Sequence, residues 1–155
     1  MDVPRERYNS GYGNGGNAGK PPFTTLTAYD LNKGTIKWQV PAGDDPVLAA
    51  QGIHNTGARG LRVGIVSTAT GIVFLAGGDN KIHAYDEDNG KEIWTHDIAG
   101  ASGGTPSMYE IDGKEYLVLT VAPPGTPARG NQTPPTDVKY AQLPSGYVVF
   151  ALSEK

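Results

Sequence analysis

The side chains able to do chemistry are few. Three histidines, His54, His83 and His96, lie among scattered carboxylates, and there is no cysteine. The histidine and carboxylate spacing matches no metal-ligand pattern, and no Ser–His–Asp arrangement can be argued from it. His83 and His96 alternate with apolar neighbours inside strand-like runs and are expected at the surface. His54, in Gly52-Ile53-His54-Asn55-Thr56-Gly57, falls in a loop. Gly77-Gly78-Asp79-Asn80-Lys81 reads first as a turn, since Asp and Asn hydrogen-bond their own backbone and tolerate tight connections. Gly19-Lys20 suggests a phosphate loop, but Asn14 stands where the first Gly is required, Pro21 replaces Ser or Thr, and no helix follows.

The composition of the 155 residues excludes more. A net charge of −3 gives no electrostatic case for nucleic acid. The absence of cysteine rules out a disulfide framework, a zinc–thiolate site and a Cys-x-x-Cys-His haem attachment within this stretch. The longest apolar run, around Gly71 to Gly77, is too short for a transmembrane segment, and no signal peptide opens the sequence at Met1.

The elements that must position these residues announce themselves as a repeat. Leu26 to Trp38 and Ile82 to Trp94 share Ala-Tyr-Asp, then Gly, then Trp, with Ala28, Tyr29, Asp30, Gly34 and Trp38 recurring as Ala84, Tyr85, Asp86, Gly90 and Trp94. A fixed offset of this kind marks a repeat architecture. Each copy reads as a hairpin: a strand into Ala-Tyr-Asp, a turn at Asn32-Lys33-Gly34 or Asp88-Asn89-Gly90, and a strand out to the Trp. Both tryptophans are expected to be buried against a neighbouring sheet and to hold the repeats together.

With 22 Gly, 12 Pro and no long amphipathic period, the chain is all-β. A hairpin at about 25–40 is followed by strands near 63–68, 71–77, 81–86, 91–97, 105–111, 114–121 and 146–152. That is roughly two four-stranded antiparallel blades and part of a third, where a closed propeller takes about 4–8.

The pattern Ala-Tyr-Asp-x-x-x-Gly-x-x-x-Trp resembles the tryptophan-docking motif of quinoprotein dehydrogenase propellers. Pro21-Pro22-Phe23-Thr24-Thr25-Leu26, the run Ile65 to Gly77, Gly104-Thr105-Pro106-Ser107-Met108-Tyr109-Glu110, Asp112 to Leu119 and Gly146 to Leu152 extend the likeness. It covers about residues 21–122 and 146–152 and is greatest to the C-terminal end of glucose-dehydrogenase-like enzymes that use pyrroloquinoline quinone (PQQ). The resemblance implies a partial β-propeller from a periplasmic oxidoreductase that binds PQQ and calcium, oxidises sugars or alcohols and passes electrons to a quinone or other acceptor. Calcium needs several hard oxygen ligands, and alcohol oxidation needs a carboxylate base. The family carries those groups in earlier blades, so no catalytic or metal-ligating residue is expected here and the chain alone is expected to be inactive.

One position carries over from the family. Asp79 matches an aspartate close to the quinone, with Asn80 beside it, and these two are the expected cofactor-binding residues. Arg59 and Arg62 precede a strand that usually opens Gly-Gly in the family, and Arg62 departs from that pattern. Glucose-oxidising relatives place a His after the strand that ends here at Val121; this chain has Ala122-Pro123-Pro124-Gly125 instead, which weakens the case for glucose.

A flexible Gly/Asn-rich lead over residues 1–20 and a propeller portion over 21–155, with a Pro-rich excursion from Pro123 to Pro144, complete the expected organisation. The first hairpin lacks two inner strands and the last blade its outer strand. Open edges would then seek the missing blades or self-associate. The competing expectation is a non-catalytic propeller piece that binds proteins as an assembly scaffold.

Overall fold

The computed structural model describes residues 20–58, 64–100, 102–122 and 146–151. The lead segment up to residue 19, the Pro-rich excursion, Arg59 and Arg62 lie outside the described residues.

Among the described residues nine strands form three antiparallel sheets. The first sheet is the hairpin β1 (Thr25–Asp30) and β2 (Thr35–Pro41). The second is a four-stranded meander of β3 (Gly64–Ser67), β4 (Ile72–Ala76), β5 (Lys81–Asp86) and β6 (Glu92–Asp97). The third holds β7 (Ser107–Ile111), β8 (Lys114–Val121) and β9 (Gly146–Ala151). The expected strands are therefore found. A one-turn helix, α1 (Pro46–Ala49), was not expected; it stands in the β2–β3 connection, where Asp45 caps it by accepting from the Val47 and Leu48 amides.

The two repeats are alike in detail. Each ladder shifts register at Ala28/Tyr29 or Ala84/Tyr85, between the small residue and the tyrosine. The following Asp accepts from its own turn, Asp30 Oδ1 from the Asn32 amide and Asp86 Oδ1 from the Asp88 amide. Gly34 and Gly90 then close the turns by donating back to Asp30 and Asp86 at 2.8 Å, with φ of +66° and +71°. Only Gly adopts that conformation without strain.

The middle sheet is covered on both faces, which decides the packing. Val73 and Leu75 of β4 and Tyr85 of β5 pack with Leu26, Ala42, Trp38 and Val40 from the first-sheet side. Ala76, Ile82 and Ile98 pack with Leu117, Leu119 and Val121 of β8. Side chains alternate across a strand, so successive residues of β5 serve opposite cores. Full burial of Ile82 or Leu119 stabilises the fold by about 1.5–3 kcal/mol each.

This two-sided packing corrects the expectation for His83. It alternates with Ile82 and Ala84 as a surface residue would, but its face of the sheet is covered too, and it is buried. His96 is exposed as expected. Trp94 also departs from expectation. It remains 40% exposed, stacking on His96 and meeting Phe150 edge-on. Trp38 alone of the pair is docked, its Nε1–H donating to the Glu87 carbonyl at 2.8 Å.

Sheet ends gather where the connections cross. Gly64 at the start of β3 lies against Gly104 and Thr105 ahead of β7, and Gly100 after β6 lies against Ala122 after β8. The β4–β5 turn and the β2–β3 connection lie at this same end. Among the described residues β1 pairs only with β2 and β9 only with β8. The third sheet leaves Tyr109, Ile111, Tyr147 and Val149 exposed, an apolar face of the kind that meets another sheet.

Candidate functional site

The β4–β5 turn brings Asp79 inward. Asn80 takes φ +62° at its tip, and its carbonyl accepts from the Ile98 amide at 2.8 Å, tying the turn to the exit of β6. Asn tolerates this left-handed conformation better than most residues. Asp79 is buried, its side chain only 3% exposed. Its Oδ2 lies 3.0 Å from His83 Nε2 and accepts from the Asp44 amide at 3.1 Å; its Oδ1 accepts from the Lys81 amide at 3.3 Å. Such pairing is what a carboxylate removed from water requires.

Two glycines make room for it. A Cβ at Gly43 would come within 2.5 Å of Asp79 Oδ2, and one at Gly77 would overlap Oδ1. Gly43 also sits at φ +68°. The carboxylate is thus enclosed from the β2–β3 connection on one side and its own turn on the other.

Residues of the β2–β3 connection and of β5 and β6 complete the site. His83 reaches Glu92 Oε1 and Thr95 Oγ1 on β6 through Nδ1, each at 3.4 Å. Asp44 binds Thr56 through Oδ1, with the Thr56 amide at 2.9 Å, and His54 Nδ1 through Oδ2 at 2.9 Å. Asp44, Asp79, His54, His83, Glu92 and Lys81 line one cavity of about 450 Å³ between the connection and β5–β6. The structure therefore brings Asp79, His54 and His83 together, while His96 lies elsewhere, beside Trp94. Ordinary loop and strand residues gave no signal for Asp44 or Glu92; only their cross-element neighbours identify them.

Electrostatics follow from these contacts. Burial pushes the His83 imidazole down, but the hydrogen bond and charge of Asp79, with Glu92, outweigh it and hold His83 above its ordinary value. For Asp44 burial acts upward, and the Thr56 amide and His54 more than reverse it, leaving the carboxyl below its usual range. Burial pushes the Tyr85 phenol up to about 12, against the Gly43 amide that donates to it at 3.4 Å.

Among the described residues no three His, Asp or Glu side chains converge as a metal-binding group. No helix among them is long and apolar enough to cross a membrane.

Comparison with known proteins gives this end of the sheets a context. A family model for PQQ proteins, described as the β-propeller domain of glucose, ethanol and alcohol dehydrogenases, matches residues 5–117. The quinate/shikimate dehydrogenase (quinone) of Acinetobacter baylyi is 34% identical over 116 residues, covering 65% of this chain and 13% of that protein. The glycerol dehydrogenase large subunit of Gluconobacter oxydans is 33% identical over 106 residues, 64% of this chain and 14% of the relative. The quinoprotein glucose dehydrogenase of Escherichia coli is 27% identical over 112 residues, 69% of this chain and 14% of the relative. The chain spans about one-seventh of the length of these relatives.

Proposed function

Because this chain belongs to the PQQ-dependent glucose/ethanol/alcohol dehydrogenase β-propeller family, we propose that it is a C-terminal blade portion of a periplasmic dehydrogenase that oxidises sugars or alcohols. The observation that carries this reading is the family match over residues 5–117, joined to a Trp38–Gly90 contact that locks one repeat onto the next. The named relatives act on quinate or shikimate, glycerol and glucose, all polyhydroxylated molecules. A polyol or hydroxy acid is accordingly the substrate class.

In this reading the Gly77–Asn80 turn borders the cofactor, with Asp79 and Asn80 as its contacts in this chain. PQQ, when bound, supplies the hydride acceptor. The calcium ligands and the base that takes the hydroxyl proton come from other blades, so the isolated chain is inactive. Its partners are those blades, through the open edges of β1 and β9, or a second copy of itself.

A graft tests the proposal. Residues 21–122 would replace the matching segment of the A. baylyi quinate/shikimate dehydrogenase, and PQQ-dependent dye reduction would be measured. Retained turnover supports the assignment. A chimera that folds and binds PQQ but does not turn over counts against it and favours a non-catalytic scaffold.

A further inference from the structure

The geometry points to His83 as a positioning and charge-balancing residue: an imidazolium that holds the Asp79 carboxylate in place and cancels its charge at the cofactor-facing turn. The inference rests on the reading of that turn as cofactor-facing.

The protonation follows from the partners of the two ring nitrogens. Nε2 faces Asp79 Oδ2, an atom that can only accept. Nδ1 faces Glu92 Oε1, also an acceptor, and Thr95 Oγ1. The Thr95 hydroxyl already donates its hydrogen to the Ile82 carbonyl at 3.2 Å, so toward His83 it too can only accept. With Asp79 and Glu92 ionised and the Thr95 hydrogen directed at Ile82, both ring nitrogens are donors, which is the cationic form. Of the other charged or titratable groups around it, Lys81 is engaged with Asp97 at 2.7 Å, Asp44 with His54, and Tyr85 stacks on the imidazole at 6.0 Å between ring centroids. Among the described residues no other cation pairs with Asp79.

The arrangement answers a specific problem. PQQ is a polycarboxylate, and a bare aspartate beside it would repel it through a medium of low dielectric. With side chains 3% and 5% exposed, Asp79 and His83 form a buried pair of no net charge. Removing one member leaves an uncompensated charge, the costly outcome for buried pairs. Asp79 also carries the Asp44 amide, so the same pair fixes the β2–β3 connection and the cavity wall.

Two measurements on the 155-residue chain test this. In ¹⁵N NMR of the imidazoles at neutral pH, His83 should show both nitrogens protonated, and Asp79→Asn should lower its pKa; a neutral tautomer in the wild type overturns the inference. In PQQ titrations with calcium present, His83→Gln should weaken binding by about tenfold, the equivalent of one pKa unit of lost compensation. Wild-type affinity should fall as pH rises through the His83 titration, and His83→Gln should lack that step. Unchanged binding in His83→Gln, or the same pH step in that variant, overturns the inference. If the wild type binds no PQQ, the cofactor-facing reading falls, and the NMR result decides the role of His83 alone.

Discussion

Trp38 lies flat against Gly90, so close that a methyl group there would come within 2.6 Å of the indole Cε3. The residues belong to successive repeats, and the same indole donates to the carbonyl of Glu87, three residues before Gly90. Lys37 adds a surface ion pair to Asp88 at 2.8 Å, a contact of little energetic weight.

Gly90→Ala should therefore cost more than its twin Gly34→Ala. Both glycines have positive φ, which costs an L residue about 1–2 kcal/mol, but a Cβ at Gly34 meets nothing within 4 Å. The clash with Trp38 adds ~1–3 kcal/mol at Gly90. Urea unfolding of the two variants should separate them; equal losses would mean that Trp38 is not docked.

The two tryptophans should differ in the same experiment. Trp38→Ala removes a partly buried, docked ring and its hydrogen bond, a loss below the ~3–5 kcal/mol of a fully buried aromatic. Trp94 is 40% exposed, and its truncation should cost clearly less. A reversed order would contradict the packing described.

Gly43→Ala should open the Asp79 enclosure. Strain at φ +68° costs about 1–2 kcal/mol, and Asp79 must also move away from the new methyl group. Loss of the His83–Asp79 contact, read by the imidazole shifts, is the expected result; unchanged shifts would sink the idea of a tight cradle.

Stability should depend on pH through His83. Its folded pKa is raised above the ordinary 6.5, so the folded state binds the proton more tightly than the unfolded chain. The contribution is fully present below the unfolded value and is lost as pH rises through the folded one. The difference in unfolding free energy between wild type and His83→Gln should therefore shrink across that window. A difference independent of pH would show that the ion pair does not form.

Tyr85 gives a spectroscopic check on burial. Its phenol is pushed up to about 12, so an alkaline absorbance titration should show a late ionisation step. Its stabilising effect is present below the unfolded value near 10 and is lost as pH rises toward 12. Substituting Tyr85 by Phe should remove that late step.

Much of the fold was legible in the sequence because turn chemistry and repetition are local signals. Asp30, Gly34, Asp86 and Gly90 mark both hairpins at their tips, and the nine strands lie where alternation places them. Alternation separates two faces but does not say whether both are covered, which is why it suggests an exposed His83 and a docked Trp94. Likewise Asp79 was visible as a turn residue, while its enclosure by Gly43, Asp44 and His83 depends on three segments meeting. No spacing in the chain encodes that meeting.

The measurement that most directly tests the account is a PQQ titration with calcium present, followed by quenching of Trp38 and Trp94 fluorescence, on wild type and Asp79→Ala. Saturable binding in the wild type, weakened by the substitution, is the predicted result for a cofactor-facing turn. Absence of saturable binding, or equal binding by both proteins, would contradict the assignment of Asp79 and its turn to the cofactor.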